Sequence, residues 1–233
     1  MSTYREWRLC AGVTAWSSTS DGSVERVLPD GCLDLIWHSG RLLVAGPDTT
    51  ATVAQAPPGV RWVGLRFASG VGPAALGTPA DELTDRFVPL TDVWARGRRQ
   101  RIEDTAARLG ESPASDETVA GALMRELGPL TPDPLHLRVA RLAASGAPMA
   151  ALARSVDLSP RQFQRRSHQA FGYGPKRLHR IARFQRAWCA LLAGGTPAET
   201  AAAQGFSDQA HLSREARILA GVTLSTLLAE RAR

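Results

Sequence analysis

One short pattern occurs twice in this chain, and that repeat restricts the fold more than any other feature. LSPRQFQR spans residues 158–165, and FSDQAHLSR spans residues 206–214. A shift of 48 residues, with one residue inserted later, aligns Ala153 with Ala201, Leu158 with Phe206, Ser159 with Ser207, Phe163 with Leu212, Arg165 with Arg214 and Gly172 with Gly221. A fixed internal period indicates two copies of one supersecondary unit.

Each copy predicts a short helix, a tight turn and a second, capped helix, which is the helix-turn-helix arrangement. Ser159, Pro160 and Gln162 form the start signal of the second helix in the first copy, and Ser207 is the expected cap in the second copy. Both second helices should end at a glycine. A long helix over 175–192 is predicted to join the copies. An ordinary array of helical hairpins has the same spacing and remains the alternative.

The second helix of the first copy carries a polar face that lacks carboxylates. Helical spacing puts on this face Arg161, Gln164, Arg165 and His168. An arginine fork matches guanine O6 and N7, and a glutamine matches adenine N6 and N7, so these side chains suit base edges. The second copy offers a thinner set, Gln209, Ser213 and Arg214. A solvated surface is the alternative, although such a surface usually contains glutamate as well.

The two halves of the chain carry opposite charge. Residues 135–233 hold 15 Lys and Arg against 5 Asp and Glu, a formal net charge of +10, whereas residues 1–134 carry −4. A basic half joined to an acidic half is typical of a nucleic-acid-binding domain attached to a domain of another kind. A general arginine bias of the genome would give the same surplus, so charge alone does not decide the function.

The N-terminal half favours strands. Residues 32–46 predict a β-hairpin, and residues 60–67 predict a strand whose side chains alternate between two faces. Thr78 is the expected cap of a short helix that begins at Pro79. Two amphipathic helices follow, at 99–109 and 116–127. Their apolar faces suit either their own sheet or a second subunit.

The chain is therefore expected to fold as two domains. A mainly-β α+β domain, barrel-like and with helices, occupies residues 1–128, and a proline-rich linker occupies residues 129–134. An all-α domain, with two helix-turn-helix units joined by a long helix, occupies residues 135–233. The N-terminal domain is expected to sense an effector or to mediate assembly.

Five of the six tryptophans lie in the first 94 residues. Aromatic clusters can line a pocket, so Trp37, Trp62 and Arg66 form a candidate effector pocket in which Arg66 would face a ligand anion. The alternatives are plain core packing of the tryptophans and an internal ion pair between Arg66 and Asp34.

Cysteine usage and hydropathy exclude several classes of protein. Cys10, Cys32 and Cys189 lack CxxC spacing, which argues against a disulfide framework or a zinc knuckle. Cys10, Cys32 and His38 are too scattered to predict a metal site, so no metal and no cofactor are expected. No run of 18 apolar residues and no secretory signal occur, so we expect no membrane partner and a cytoplasmic location with reduced thiols.

Several stretches resemble known families. The DNA-binding domain of AraC/XylS regulators is similar to ALARSVDLSPRQFQRRSHQAFGYGPKRLHRIARFQRA at 151–187 and to TPAETAAAQGFSDQAHLSREARILAGVT at 196–223. A domain of unknown function often found ahead of such domains resembles RVLPDGCLDLIW, VGLRFASG and ELTDRFVPLTDVW, at 26–37, 63–70 and 82–94. The resemblance implies a transcriptional regulator that is not an enzyme and that binds double-stranded DNA. RNA polymerase, a small-molecule effector and a second copy of the chain are further candidate partners.

The resemblance also implies roles for individual residues. Base-reading positions fall on Arg161, Gln164, Arg165, Gln209, Ala210 and Arg214. Phosphate contacts or helix-end positioning fall on Lys176, His211 and Ser213. The predicted DNA-binding set is completed by Gln162 and His168. Recurrent family positions that we expect to be structural are Arg183 and Glu199.

The chain departs from the family in the cores of its two units. The family usually has phenylalanine at the positions of Ser167 and Ala216. It usually has an aromatic residue at the position of Ala220 and a proline at that of Leu224. An unfilled hole of phenylalanine size costs about 3–5 kcal/mol, unless Phe171, Ile218 and Leu219 refill it. The second copy is the more altered, and Ala210 lacks a polar side chain. We therefore expect the first copy to make the sharper sequence choice.

Two other functions remain open. One is an enzyme with a nucleic-acid-binding appendage that uses Cys10 or Cys32 as an alkyl acceptor. The chain shows no Cys-Pro-His-type string and no paired acid and base to support it. The other is a regulator that takes no ligand and works through its abundance.

Overall fold

The computed structural model describes residues 3–111 and 114–231, and residues 1–2, 112–113 and 232–233 lie outside that description. The N-terminal elements, in chain order, are β1 (Thr3–Cys10), β2 (Val13–Thr19), β3 (Val24–Val27), β4 (Leu33–His38), β5 (Arg41–Ala45), β6 (Thr52–Gln55), β7 (Arg61–Phe67), α1 (Gly72–Leu76), β8 (Phe87–Pro89), α2 (Arg96–Glu111) and α3 (Asp116–Leu127). The amphipathic pattern of the sequence thus located both α2 and α3.

Six strands form one antiparallel sheet in the order β1-β2-β7-β4-β5-β8, and β3 pairs with β6 in a separate ribbon. The mainly-β expectation is confirmed, including the β4–β5 hairpin. The sheet does not close into a hydrogen-bonded barrel: within the described residues, β1 pairs only with β2, and β8 only with β5. Helices, rather than further strands, cover its apolar face.

The side-chain alternation of β7 shows which face of the sheet is buried. Val63, Leu65 and Phe67 are fully buried, whereas Trp62 and Arg66, on the opposite face, are partly exposed. The helices α2 and α3 pack on the same core: α2 contributes Ile102 and Ala106, and α3 contributes Val119 and Leu123. The apolar faces of both helices are therefore used on their own sheet, and not left free for a second subunit.

The expected helix after Thr78 is wrong in its start and in its kind. Ala80–Glu82 form a single 3₁₀ turn, and no side chain caps it. Pro79 precedes the turn in an extended conformation, with ψ at 141°, so it is not the first helical residue. The chain passes very close by at this point, because a Cβ on Gly46 would lie 1.6 Å from the carbonyl oxygen of Leu83. Only glycine fits there.

The C-terminal half is helical throughout. Its elements are α4 (Pro134–Ala144), α5 (Met149–Arg154), α6 (Pro160–Phe171), α7 (Pro175–Leu192), α8 (Pro197–Ala203), α9 (Gln209–Ala220) and α10 (Leu224–Arg231). The two helix-turn-helix units are α5–α6 and α8–α9, and α7 joins them. The all-α expectation is confirmed, as are the left-handed glycines, Gly172 and Gly221, that end α6 and α9.

Hydrogen bonds of side chains define where the helices begin. Reciprocal capping boxes are formed by Ser159 with Gln162 and by Thr196 with Glu199. The cap expected at Ser207 is wrong by one residue, since Asp208 Oδ1 accepts the N–H of His211 at 2.6 Å. A carboxylate is also favoured over a hydroxyl at the positive end of a helix.

The small residues in the two unit cores are accommodated in different ways. Ser167 is buried, and its hydroxyl donates to the carbonyl oxygen of Tyr173 at 2.8 Å. Ala216 is buried in the same cluster as Phe171 and Leu219. Ile218 is 50% exposed, so it does not refill the core as expected.

The two domains pack against each other. Leu28 of the N-terminal half lies against the C-terminal cluster, and Leu137 of α4 lies against the N-terminal cluster. Tyr173 is buried at this boundary, where a Cβ on Gly31 would lie 3.0 Å from its hydroxyl. The boundary is therefore a packed seam.

Candidate nucleic-acid interface

The fold presents one face of α6 to solvent. Its opposite face is fixed in the core by Phe163, Ser167, Ala170 and Phe171. The capping box fixes the start of the helix, and Gly172, with φ at 81°, ends it. The three base-reading candidates Arg161, Gln164 and Arg165 are consequently exposed together on the free face.

The side chains on this face differ in what they already contact. Arg161 and Arg165 make no hydrogen bond or ion pair within the residues the structure describes. Gln164 Nε2 lies 2.9 Å from His168 Nε2, so these two side chains are linked along the helix. Gln162 does not belong to the free set, because its Oε1 accepts from the N–H and the hydroxyl of Ser159. Gln162 thus caps the helix, as its place in the start signal predicted, and its membership of the DNA-binding set stays a prediction.

The helix α9 presents a smaller face. Leu212, Ala216 and Leu219 anchor it in the core, and the exposed residues include Gln209, Ala210 and Arg214. Ser213 lies half-buried beside them. His211 packs on the Phe206 ring with centroids 5.2 Å apart, and its Nδ1 accepts from the N–H of Ser207. This geometry favours helix-end positioning over a phosphate contact for His211.

An open groove runs beside this face, between α9 and the start of α10. Its lining includes Gln209, Ser213, Arg214 and Arg217, with Thr223 and Ser225 on the other side. The sequence argument missed Arg217, which is exposed and follows Arg214 by one turn. Continuing the polar face at helical spacing would have found it. Hydroxyls beside two guanidinium groups suit an anionic ligand such as a phosphate.

The start of α7 adds positive charge between the two units. Lys176 and Arg177 are exposed in its first turn, and neither side chain makes a hydrogen bond or ion pair in the described part of the chain. No side chain caps this helix. The positive end of a helix together with an exposed cationic side chain suits a phosphate, which agrees with the role expected for Lys176.

Other arginines of the C-terminal domain are committed to internal contacts. Arg138, Arg183 and Arg186 donate to the carbonyl oxygens of Ser155, Gly205 and Ala143. Arg166 and Arg180 form ion pairs with Asp133 and Glu215. Arg183 also stacks on the Phe206 ring at 4.4 Å, and Glu199 completes a capping box, so both have the structural roles expected of them. The side chains of Arg161, Arg165 and Arg214 on the reading faces have no such partner among the described residues, and the same is true of Arg177 and Arg217 beside those faces.

The structure does not bring the three effector-pocket candidates together. Trp37 is buried on the core face of the sheet, where its Nε1 donates to the carbonyl oxygen of Ala106 at 2.9 Å. Trp62 lies on the opposite face and stacks on His38, with ring centroids 4.2 Å apart. Arg66 lies on the same face as Trp62, but its guanidinium is already paired with carboxylates of the protein. The prediction of a shared pocket is wrong because β4 and β7 point these residues to different sides.

Arg66 forms the internal pair that was its alternative reading. Its guanidinium lies 3.3 Å from both Asp34 and Glu6. Burial raises the pKa of Asp34 to about 6, although Arg66 and the N–H of Trp16 oppose that shift. Burial alone would lower the pKa of Arg66, but Asp34 and Asp30 hold it above its usual range. Arg66 is thus a paired cation and offers little to a ligand anion.

The cysteines offer no support for an alkyl acceptor at Cys32. Burial, together with the nearby carboxylates of Asp30 and Asp34, raises the pKa of the Cys32 thiol well above its usual value. A thiol held protonated is a poor nucleophile. Cys10 and Cys189 are exposed and free. The described residues contain no cluster of His, Cys, Asp or Glu that could hold a metal, and none of their helices is long and apolar enough to cross a membrane.

Two family models match this chain. The domain of unknown function DUF6597 matches residues 9–89, and a helix-turn-helix domain matches residues 152–230. The second match contains α6 and α9, with both reading faces. No curated protein matches the sequence.

Solved structures share the fold at low sequence identity. The apo form of a single-site variant of ToxT from Vibrio cholerae strain SCE256 is 10% identical, with a TM-score of 0.50 over 97% of this chain and 99% of that chain. ToxT from Vibrio cholerae O395 is 9% identical, with a TM-score of 0.48 over 97% of each chain. At such identity the first of these shows a common two-domain fold only.

The helix-turn-helix match and the geometry of the C-terminal half agree with each other. Two capped helices expose basic faces on the same domain, and the matched region covers both. The chain therefore combines a domain that matches DUF6597, over residues 9–89, with a helix-turn-helix domain of the AraC type, over residues 152–230, and this combination supports a DNA-binding transcriptional regulator.

Proposed function

We propose that the protein is a one-component regulator that binds a specific DNA sequence through α6 and α9. One observation carries this proposal: Arg161, Arg165 and Arg214 are exposed on the two reading faces, and their side chains have no hydrogen-bond or ion-pair partner among the described residues, whereas those of Arg166, Arg180 and Arg186 have one. An unpaired guanidinium keeps its full set of donors for a base edge or a phosphate. The reading helices would enter successive segments of the major groove.

The proposed domain division is residues 1–128, a linker at 129–134 and a DNA-binding domain at 135–233. Two separate hydrophobic clusters support it, one with members from Val13 to Leu123 and one with members from Val139 to Leu227. The N-terminal domain would supply the regulatory input, either from a small molecule or from a second copy of the chain. RNA polymerase would be the partner through which the bound regulator acts.

An open groove in the N-terminal domain is the place we assign to a small-molecule effector. It lies between the β4–β5 hairpin, the start of β7 and the end of α2. Its lining includes Trp37, His38, Arg61, Leu109 and Glu111. Arg61 also pairs with Asp116 at 2.6 Å, so a ligand in this groove would touch a side chain that joins the sheet to α3.

Selection of binding sites from random DNA with the full chain tests the proposal. Enrichment of one sequence supports it, and recovery of unrelated sequences with equal affinity would refute sequence-specific binding. Electrophoretic mobility shifts with the enriched sequence and a scrambled control give the specificity ratio. For specific regulators that ratio is about 10³ or more.

Affinity for the selected site is expected to fall steeply with salt. Basic side chains that neutralise phosphates release counterions, so about six such contacts lower the association constant about 10³-fold between roughly 50 and 200 mM salt. Fluorescence anisotropy of labelled DNA across a salt series measures the slope. A flat response would contradict phosphate contacts by the basic half of the chain.

Replacing Gln209 and Arg214 by alanine is expected to weaken binding with little change in base preference. Among the predicted base-reading positions of α9, Gln209 and Arg214 can donate, and Ala210 cannot. The helix should therefore anchor the protein more than it selects sequence. Site selection with this double variant measures the preference, and Arg161→Ala is the comparison. A change of preference as large as that of Arg161→Ala would show that α9 reads bases equally.

A further inference from the structure

Two groups of the N-terminal domain satisfy carbonyl oxygens at the end of α9. The N–H of Ala51 donates to Leu219 O at 2.7 Å, and Arg26 Nη1 donates to Ala220 O at 2.9 Å. The last four carbonyls of a helix have no partner inside that helix. Donors from another domain therefore fix where this end of α9 lies.

Arg26 extends this contact to the next helix. Its Nε and Nη2 donate to the two carboxylate oxygens of Glu230 in α10, at 2.9 and 3.1 Å. Its side chain is 16% exposed and that of Glu230 is 38% exposed, so this pair lies at the edge of the boundary between the domains. A fork of this kind is bidentate and sets direction as well as distance. One side chain thus ties β3 to both α9 and α10.

The end of α6 is held by the same domain at the equivalent position of the repeat. The Thr84 hydroxyl lies 3.0 Å from Gly172 O and 3.1 Å from Ala80 O, and its one proton is shared between these two acceptors; Gly172 aligns with Gly221 at the end of α9. The contact is tight, because a Cβ on Gly172 would lie 2.4 Å from Thr84 Oγ1 and 2.6 Å from Pro47. Both recognition helices are therefore held at the same end by one domain.

The joining helix is held as well, and the reading faces stay open. Gln185 in α7 donates to Pro29 O at 2.7 Å. The base-reading candidates lie in the first halves of α6 and α9, and they remain exposed while the domain holds the other ends. This arrangement can position the two helices and leave both accessible to DNA.

From these contacts we propose that the N-terminal domain sets the spacing between the two DNA half-sites that the protein accepts. Arg26 and Thr84 are the positioning residues, and neither touches DNA in this arrangement. The inference rests on the proposed sequence-specific binding by α6 and α9. The N-terminal domain would hold the two helix-turn-helix units at a fixed separation, in addition to their connection through α7.

If the N-terminal domain holds the two units in this way, affinity should depend on the spacing between the two DNA half-sites. Inserting one base pair between two half-sites moves the second by about 3.4 Å and turns it by roughly 35°. A protein whose two helices are held at fixed positions cannot follow that change without losing contacts. A protein whose second unit moves on α7 alone can follow it more easily.

The test compares spacing variants of the selected DNA site with full-length proteins. The variant carries Arg26→Ala and Thr84→Val, which remove the donors to Ala220 O and Gly172 O. Its matched controls are Thr84→Ser, which keeps the hydroxyl, and Arg41→Ala, which removes an exposed side chain of the β4–β5 hairpin that makes no hydrogen bond or ion pair among the described residues. Anisotropy titrations measure affinity for the original site and for sites lengthened by one base pair.

The wild type and both controls are expected to lose about tenfold or more in affinity on the lengthened site, as for a mismatched position. The double variant is expected to lose less than about threefold, with its thermal unfolding midpoint recorded alongside. Unchanged spacing discrimination in a folded double variant would overturn the inference, whatever its thermal stability. Loss of specific binding in the wild type itself would instead overturn the proposed function.

Discussion

Replacing both Arg161 and Arg165 by alanine is expected to lower affinity for the selected DNA site by at least about 30-fold. Each bidentate contact with a base contributes about 1–3 kcal/mol of discrimination, and neither guanidinium group has a partner within the part of the chain that the structure describes. Affinity for random DNA should fall much less, because backbone contacts from the rest of the basic surface remain. Anisotropy titrations against the selected site and a scrambled duplex measure the two losses.

Two controls separate base reading from charge. Arg165→Lys keeps the charge and loses the planar fork, so it should lose most of the specificity but retain nonspecific binding. Arg141→Ala removes an exposed arginine of α4, outside both reading helices. It should change the affinity for the selected duplex and for the scrambled duplex by no more than about threefold, because single surface charges contribute little. Equal losses on the selected and scrambled duplexes for the double variant would mean that Arg161 and Arg165 touch phosphates only.

The same substitutions should leave the fold intact. Both side chains are exposed, and neither supports a cap or a core contact. Surface changes of this kind usually alter stability by less than about 0.5 kcal/mol. Urea denaturation followed by circular dichroism therefore checks that any loss of DNA binding comes from the interface itself.

Local chemistry made much of the C-terminal domain predictable from sequence. The box of Ser159 and Gln162 satisfies the first N–H groups of α6 within four residues, so it can be read without knowing the fold. The same is true of the bounds of α7, which has Pro175 at its first position. The failure at Ser207 was small, since an equally good cap, Asp208, stands next to it.

Long-range placement could not be predicted in the same way. Trp37 and Arg66 looked like one pocket because both stand in apolar strands, but strand register puts them on opposite faces. The contact of Arg26 with Ala220 joins residues 194 apart, and nothing local marks it. Sequence pattern predicts elements and their faces, whereas contacts between domains depend on how those faces finally pack.

Arg180→Ala is expected to destabilise the protein by about 2–3 kcal/mol, through the ion pair that joins α7 to α9. Arg180 Nε and Nη2 donate to the two carboxylate oxygens of Glu215 at 2.6 and 3.0 Å. The Glu215 side chain is only 11% exposed, so removing Arg180 leaves a buried carboxylate without its cation. Breaking a fully buried pair costs about 3–5 kcal/mol, and the partial exposure of Arg180 reduces that figure.

The reverse substitution should cost less, and this asymmetry is the sharper test. Glu215→Ala leaves Arg180, whose side chain is 31% exposed and can turn toward water. The double variant should then be more stable than the sum of the two single effects allows, because neither charge is left alone. Arg177→Ala, an exposed arginine of the same helix without a hydrogen bond or ion pair among the described residues, is the matched control and should stay near wild type. Urea unfolding of the wild type, the two single variants and the double variant gives a double-mutant cycle. Equal losses of stability in the two single variants would contradict the expected asymmetry. Strict additivity would show that this pair does not connect the two units.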